Sequence, residues 1–159
     1  MITIRKAELS DPQQAQAVVD LLNRYALHPM GGGEALPEFT RRHLIDELKK
    51  HDEFSALLAY DGAKPVGLCN CFKGFSTFAC KPLLNIHDLY VGDGYRNRGI
   101  ARQLLASAEA LAHETGCNKL TLEVLSGNAP AKKSYRDAGF KPYRLNDEFG
   151  QAEFWQKYL

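Results

Sequence analysis

Several features that would mark a membrane, nucleic-acid or zinc protein are missing from this chain. The formal net charge is only +1, whereas nucleic-acid-binding proteins usually carry a strongly basic patch. No apolar run is long enough to cross a bilayer, and no leader sequence is evident. The four cysteines, at positions 69, 71, 80 and 117, have no paired zinc spacing. We therefore expect a soluble, cytoplasmic protein that binds neither nucleic acid nor membranes.

Signatures of metal and nucleotide sites are also absent. The five histidines do not cluster along the sequence, so no metal site is predicted. The glycine run from Met30 to Glu34 lacks the Gly-Lys-Ser/Thr ending of a phosphate-binding P-loop. It is either a flexible connector or a mobile edge of a substrate pocket. Cys69 and Cys71 alternate along an apparent strand and are interpreted as small buried apolar side chains.

The length and composition are those of an ordinary globular domain. The chain has 159 residues, of which 45% are hydrophobic and 25% charged. A chain of this length can bury a sizeable core without disulfides or metals. We expect one domain over residues 1–159, and no internal repeat or low-complexity segment suggests otherwise.

One stretch predicts a strand, a basic loop and a helix in direct succession. Residues 84–91 are typical of a buried strand, and the loop after them contains Arg96, Arg98 and Gly99. Apolar residues then recur at helical spacing from Ile100, and Gly116 suits a left-handed helix end. The first amides of a helix lack intrahelical partners, and the helix dipole adds about half a positive charge. The loop is therefore predicted to bind an anion, with the two arginines as forked donors.

The remaining segments predict a mixed sheet flanked by helices. Asp11 followed by Pro12 is a favourable helix start. Strand 119–125 is expected to run parallel to strand 84–91, because the intervening helix makes a right-handed crossover. The predicted strands are 2–6, 54–60, 65–72, 84–91, 119–125, 140–144 and 153–158, and the predicted helices are 12–28, 37–50, 100–115 and 129–138.

Two motifs in this order resemble those of the GCN5-related N-acetyltransferase (GNAT) superfamily. The first is Arg96-x-x-Gly99-x-Ala101, which is similar to the loop that holds the pyrophosphate of acetyl-coenzyme A in that family. The second is Asn128-x-x-Ala131-x-x-x-Tyr135 followed by Gly139-Phe140, which resembles the motif beside the pantetheine arm. The resemblance covers residues 54–145 well, and the N-terminal third only by the order of its elements.

The resemblance implies an α/β fold and an acetyl-CoA site. The expected architecture is a single-domain GNAT fold: a mixed, mostly antiparallel sheet with a parallel central strand pair and helices on both faces. The cofactor-binding core would span about residues 84–140. The residues that the resemblance assigns to acetyl-CoA are the backbone of Leu89, Tyr90 and Val91, the loop residues Arg96, Asn97, Arg98, Gly99, Ile100, Ala101 and Arg102, and the side chains of Asn128 and Tyr135.

The resemblance also suggests catalytic groups for direct attack of an amine on the thioester. Tyr135 matches the family tyrosine that protonates the leaving thiolate, and the Leu89 N–H is the expected oxyanion donor. His87 is the favoured base, since aralkylamine acetyltransferases place a histidine there, and Asp88 is the alternative. Simple strand alternation puts Asn85, His87 and Leu89 on one face, and Asp88 on the other unless a bulge re-aims it.

The acceptor is expected to be a small primary amine. The aromatic segment 72–78 is similar to one in polyamine and thialysine acetyltransferases, and aromatic rings attract ammonium groups. Phe75, Phe78, Asn85 and His87 are the candidate acceptor contacts. A polyamine, a diamine or an amino-acid-like amine would fit, and a homodimer is an open expectation. The alternatives are a protein lysine or N-terminal acetyltransferase, and a non-catalytic acyl-CoA-binding module.

Overall fold

A computed structural model describes all residues, 1–159. The protein contains a five-stranded sheet with strands in the order β1-β2-β3-β4-β5. Single 3-10 turns lie at Pro29–Gly31 and Asp93–Tyr95. The strands are β1 (Ile2–Lys6), β2 (Phe54–Asp61), β3 (Lys64–Ser76), β4 (Lys81–Val91) and β5 (Leu120–Leu122), and the helices are α1 (Pro12–Leu27), α2 (Glu38–Leu48), α3 (Ile100–Glu114) and α4 (Ala129–Asp137).

The helix ends follow from local sequence. The Asp11 side chain accepts hydrogen bonds from the backbone N–H groups of Gln13 and Gln14, and Pro12 occupies the first position of α1. These bonds satisfy amides that the helix leaves free. The Gln14 side-chain amide also donates to Asp11 Oδ2, and this bond, followed by the one from the Gln13 N–H, lowers the pKa of the Asp11 carboxyl below its usual value. Gly116 adopts the predicted left-handed conformation after α3, with φ of 71°. Both predicted boundaries are confirmed.

The sheet is antiparallel except at one edge. β1, β2, β3 and β4 pair in antiparallel succession. β4 and β5 pair in parallel through three residue pairs, from Leu84 opposite Leu120 to Ile86 opposite Leu122. The crossover through α3 makes this parallel pairing accessible, as predicted. The mixed α/β fold class is confirmed.

Helices cover both faces of the sheet. α1 packs Val18 and Leu21 against a cluster that includes Leu58, Leu68 and Tyr90. Strand neighbours of those residues point to the opposite face, where Gly67 lies so close to the Leu104 side chain that an added Cβ would be 3.2 Å from it. Leu104 belongs to α3 and is fully buried. β4 is thus held between two packed helical layers.

Several predictions about strands were wrong, and the first concerns the end of β3. β3 continues through Gly74 to Ser76 instead of ending at Phe72, because Gly74 pairs normally with Leu83. The turn comes later, where Ser76 Oγ accepts a hydrogen bond from the Ala79 N–H.

The predicted closing strands 140–144 and 153–158 do not form. The first segment makes only an isolated bridge, between Arg144 and Gln151, with a hydrogen bond from the Ala152 N–H to the Tyr143 carbonyl, and no strand forms over 153–158. The aromatic side chains of Phe154, Trp155 and Tyr158 are exposed. Apolar alternation alone does not make a strand, since the backbone groups also need a partner strand. β5 is likewise shorter than the predicted strand 119–125 and ends at Leu122.

The chain forms two compact units, Met1–Leu122 and Glu123–Leu159. The first contains the whole sheet and three of the helices. The second contains α4 and the segment that follows it. One domain over residues 1–159 stays a prediction.

Candidate functional site

The loop between β4 and α3 presents free backbone amides. Gly99 caps α3 in the left-handed conformation, with φ of 75°, and no side chain caps the helix start. Asn97 is also left-handed, with φ of 58°, a conformation that asparagine tolerates better than most residues. Ile100 is buried and anchors the first turn. The first-turn N–H groups are therefore available to an anion.

The guanidinium of Arg96 is largely engaged in contacts with other residues of the protein. Its Nε donates to the Val91 carbonyl at 3.2 Å, and its guanidinium lies 2.9 Å from the Asp93 carboxylate. A third contact, 3.2 Å long, joins it to Nε2 of His28. The guanidinium also lies over the Tyr90 ring. These contacts hold the loop against the end of β4 and the end of α1.

Arg98 has no such bonds to the backbone. Its guanidinium stacks over the Tyr95 ring at 5.1 Å, and the Lys64 ammonium lies 5.3 Å from the same ring. Arg98 is exposed, so its charge remains available at the loop surface. Of the two predicted arginines, this one is the freer to meet a phosphate.

β4 has an unpaired edge just before the loop. β5 pairs with residues Leu84, Asn85 and Ile86 and ends there. The edge of residues 87–91 that faces away from β3 therefore has no partner strand. An extended ligand can add to such an edge through backbone hydrogen bonds. The predicted backbone positions Leu89, Tyr90 and Val91 lie within it.

A β-bulge places His87 and Asp88 on the same face. Asp88 pairs with Asn70 and Ile86 pairs with Cys71, so His87 has no residue opposite it. The His87 ring contacts Phe72 with centroids 5.3 Å apart, and Phe72 and Asn70 share one face of β3. Simple alternation across this stretch was therefore wrong, and the physical reason is the extra residue. Asp88 is re-aimed toward the face of His87.

The two candidate bases are close together. His87 Nδ1 lies 4.0 Å from Asp88 Oδ2, and the side chains are 61% and 23% exposed. Asp88 also accepts a hydrogen bond from Asn70 Nδ2 at 3.0 Å. Burial, followed by the Asp88 charge, raises the pKa of Tyr25 on α1. A half-buried carboxylate and an imidazole are thus brought to one place on β4.

The aromatic residues beside this place differ partly from those predicted. Phe72 contacts Phe54 with centroids 5.1 Å apart, and His51 lies at its edge. Phe75 is an odd number of strand positions from Phe72 and points to the other face. Phe78 is 99% exposed in the turn. The structure therefore brings Phe72, and not Phe75 or Phe78, beside His87.

Asn85 and Asn70 also differ from expectation. Asn85 Nδ2 donates to Thr121 Oγ1 at 3.0 Å, a bond that ties β4 to β5. Asn70 was not singled out from the sequence, although it is a polar residue between Cys69 and Cys71 in an apolar strand. That interruption was the available signal. Contact of Asn85 with an acceptor stays a prediction.

The two central cysteines lack the features of a nucleophile. Cys69 and Cys71 are fully buried, with their sulfurs 3.7 Å apart. The contact with Cys71, followed by burial, raises the pKa of the Cys69 thiol well above its ordinary value. A thiolate is the reactive form of cysteine, and a raised pKa disfavours it. The interpretation as buried apolar side chains is confirmed.

The second motif forms the start of a helix in the second unit. Asn128 Oδ1 accepts a hydrogen bond from the Ala131 N–H and caps α4. Tyr135 lies on α4, and its ring meets that of Phe140 edge to face at 5.9 Å. Gly139 is left-handed, with φ of 91°. The predicted capping and helix end are confirmed.

A cavity of about 490 Å³ lies elsewhere in the first unit. Its lining includes Arg24, His28, Lys64, Tyr90 and Tyr95. Neither His87 nor Asp88 borders it, so the cavity is separate from the bulge. No group of three or more potential metal ligands is found, and no helix is long and apolar enough to span a bilayer.

Comparison with known proteins identifies the family. The profile described as "Acetyltransferase (GNAT) family" matches residues 16–140. The chain is 28% identical to the uncharacterized N-acetyltransferase YhfO of Bacillus subtilis (strain 168), over 91% of this chain and 97% of that protein.

Solved structures support the same fold. An aminoglycoside acetyltransferase from an uncultured soil metagenomic sample, in complex with trehalose, has a TM-score of 0.78 at 18% identity, covering 99% of this chain and 96% of that one. AAC(6')-Iy, in complex with the bisubstrate analogue CoA-S-monomethyl-acetylneamine, has a TM-score of 0.76 at 18% identity, covering 100% of this chain and 99% of that one. The chain belongs to the acetyltransferase (GNAT) family and is an N-acetyltransferase.

Proposed function

We propose that this protein transfers the acetyl group of acetyl-CoA to a primary amine of a small molecule, by direct attack in a ternary complex. The observation that carries the proposal is the continuity of three features on β4. The bulge at His87 is followed by the unpaired edge 87–91 and then by the amide-rich loop before α3. The candidate base, the site for the thioester and the site for the pyrophosphate would thus follow one another along β4 and the loop after it.

The cofactor site uses mainly backbone groups. Residues 97–101 supply amides to the pyrophosphate, and Arg98 and Arg102 add charge. The edge at Leu89, Tyr90 and Val91 pairs with the pantetheine arm as an added strand would. Fixing a large cofactor in this way lowers the entropic cost of reaching the transition state. Arg96 supports this site by holding the loop, and Asn128 contributes from the second motif.

The chemistry requires a base, an oxyanion donor and an acid. An alkylammonium has a pKa near 10 and must lose a proton before attack. His87 accepts that proton, directly or through a water, with Asp88 beside it. The Leu89 N–H stabilises the developing oxyanion. Tyr135 returns a proton to the thiolate, as its place in the second motif suggests.

The acceptor is a small cationic amine, such as a polyamine, a diamine or an amino-acid-like compound. The partly exposed Asp88 carboxylate and the Phe72 ring both favour an ammonium group. Aminoglycosides, which carry several amines, are the acceptor class named for one solved structure of the same fold. A protein lysine or N-terminus is the alternative acceptor, and a non-catalytic acyl-CoA-binding module is the alternative function.

The test measures the release of the CoA thiol from acetyl-CoA in the presence of each member of a panel of polyamines, aminoglycosides, amino acids and lysine peptides. Calorimetry with acetyl-CoA runs in parallel. We expect tight binding of acetyl-CoA. We also expect turnover with at least one small amine, at a rate that saturates as the amine concentration rises. Turnover with peptides alone would contradict the small-molecule acceptor. Cofactor binding without turnover on any amine would instead support a binding module.

A further inference from the structure

We propose that Asn70 is a specificity-determining residue, whose Oδ1 accepts an N–H hydrogen bond from the acceptor's primary ammonium group beside Asp88. The inference rests on the proposed function, because it assigns a recognition role at the bulge that carries His87. It goes further by stating which feature of the amine is recognised. That feature is its N–H donors, and not its charge alone.

Asn70 is a polar residue in an apolar place. It is only 3% exposed and lies on β3 between the fully buried Cys69 and Cys71. Its Nδ2 donates to Asp88 Oδ2 at 3.0 Å. Its Oδ1 is buried and has no hydrogen-bond partner in the protein, the one such side-chain atom in the chain. Buried acceptors are almost always paired, so an unpaired one requires an explanation.

The orientation of the amide is fixed by Asp88. Turning the amide over would bring Oδ1 against the carboxylate oxygen, where two acceptors repel, and would bury an unpaired donor instead. The unpaired atom is therefore an acceptor, and the ligand group that it suits is a donor. A primary ammonium has three N–H donors in a compact head.

The surroundings suit such a head. Asp88 supplies a negative charge, and its Oδ2 lies 3.0 Å from Asn70 Nδ2. Exposure falls from His87 to Asp88, whose side chains are 61% and 23% exposed, and then to the buried Asn70. The Asn70 amide thus lies deeper in the protein than the two candidate bases.

The unpaired oxygen also explains why N–H donors are selected. An exposed acceptor must give up water when a ligand binds, which offsets most of the new bond. Asn70 Oδ1 is already shielded from bulk water in the folded protein. A donor that reaches it gains a hydrogen bond without that loss, whereas a quaternary ammonium leaves the oxygen unpaired.

The test compares two cations of equal charge, n-butylammonium, which has three N–H donors, and n-butyltrimethylammonium, which has none. Binding is followed by NMR titration of the whole protein, with and without saturating coenzyme A. We expect the wild type to prefer n-butylammonium by about tenfold, the size of one well-formed hydrogen bond. The NMR chemical shift of the Asn70 side-chain carbonyl carbon should change with n-butylammonium only. This readout uses the wild-type protein and needs no substitution.

Variants separate the oxygen from the carboxylate. Asn70→Leu should weaken n-butylammonium about tenfold and leave n-butyltrimethylammonium within twofold. Asp88→Asn should weaken both cations, and adding Asn70→Leu to it should remove the remaining preference. Ser76→Ala, which removes the other buried polar side chain of β3, should change neither affinity.

Three results would overturn the proposal. They are no preference in the wild type, an equal effect of Asn70→Leu on both cations, or no effect of Asn70→Leu once Asp88 is Asn. The last would mean that Asn70 only holds Asp88. Preferential binding without acetyl transfer would contradict the proposed function alone, and acetyl transfer without the preference would contradict this inference alone.

Discussion

The guanidinium of Arg96 lies 3.2 Å from Nε2 of His28, although the two residues are 68 positions apart. His28 caps the C-terminal end of α1, which ends at Leu27. With its bonds to Val91 and Asp93, Arg96 joins three segments at one point. This arrangement gives Arg96, the first residue of the loop motif, a structural role that is distinct from phosphate binding.

The two arginines of the loop should therefore respond differently to removal. Arg96→Gln cannot keep all three contacts, and we expect the free energy of unfolding to fall by about 1 kcal/mol, since the side chain is partly exposed. Arg98→Gln should leave stability nearly unchanged. Its loss of acetyl-CoA affinity should grow at low salt, because an exposed charge acts through a screened interaction.

Chemical denaturation and calorimetry at two salt concentrations check both expectations. The assignment fails if Arg98→Gln is the more destabilising change. It also fails if the two variants show the same salt dependence in cofactor binding.

Gly99 should be required for cofactor affinity rather than only for folding. Gly99→Asp adds a carboxylate beside the pyrophosphate, and we expect acetyl-CoA affinity to fall at least tenfold, about 1.4 kcal/mol. Gly116→Asp is the matched control, because both glycines are left-handed and both have open space at the Cβ position. Each variant should lose about 1–2 kcal/mol of stability from the backbone conformation. Equal cofactor affinities in the two folded variants would contradict the assignment.

Local sequence patterns predicted the secondary-structure elements that surround the candidate cofactor site. The Asp11-Pro12 start of α1, the helix after Gly99 and the parallel pairing of β4 with β5 all depend on short-range rules. When a helix follows a strand, the next strand usually returns beside the first one and runs parallel to it through a right-handed crossover. These features were therefore predictable from the sequence.

The details at the bulge were not predictable, because they depend on the partner strand. Whether Asp88 shares a face with His87 depends on the register between β3 and β4, which skips His87. Nothing in the sequence of β4 alone marks the extra residue. The same cause explains the closing strands, since the aromatic pattern near Trp155 does not reveal whether a partner is present.

The buried cysteines should not react at neutral pH. Because the pKa of Cys69 is raised, its thiolate population near pH 8 is small, and burial blocks access as well. Iodoacetamide should label exposed Cys80 first and leave Cys69 and Cys71 unmodified in the folded protein. Peptide mass spectrometry after timed labelling checks the order. Labelling of Cys69 before Cys80, or an acetylated Cys69 during turnover, would contradict direct attack on the thioester.

Tyr135 should act on the rate and not on cofactor binding. Tyr135→Phe keeps the ring that meets Phe140 and removes the hydroxyl. We expect kcat to fall about 10²–10⁴-fold, the usual contribution of a general acid, with little change in KM for acetyl-CoA. Tyr143→Phe, at an exposed tyrosine of the same unit, should leave kcat unchanged. A kcat within threefold of wild type, with chemistry rate-limiting, would assign Tyr135 to packing.

His87 should determine the acidic limb of the pH–rate profile. His87→Gln retains size and hydrogen bonding but cannot accept a proton near neutrality. The imidazole ionisation should therefore disappear from the acidic limb of kcat/KM for the amine. The variant should regain rate as pH rises toward the amine's own pKa near 10, where the free base is abundant. His113→Gln is the matched control, because His113 also lies 4.0 Å from a carboxylate, that of Glu109 on α3. Profiles are measured with one good amine at saturating acetyl-CoA. If the wild-type and His87→Gln limbs superimpose, the base is Asp88 or a water, and the bulge serves only to aim that carboxylate.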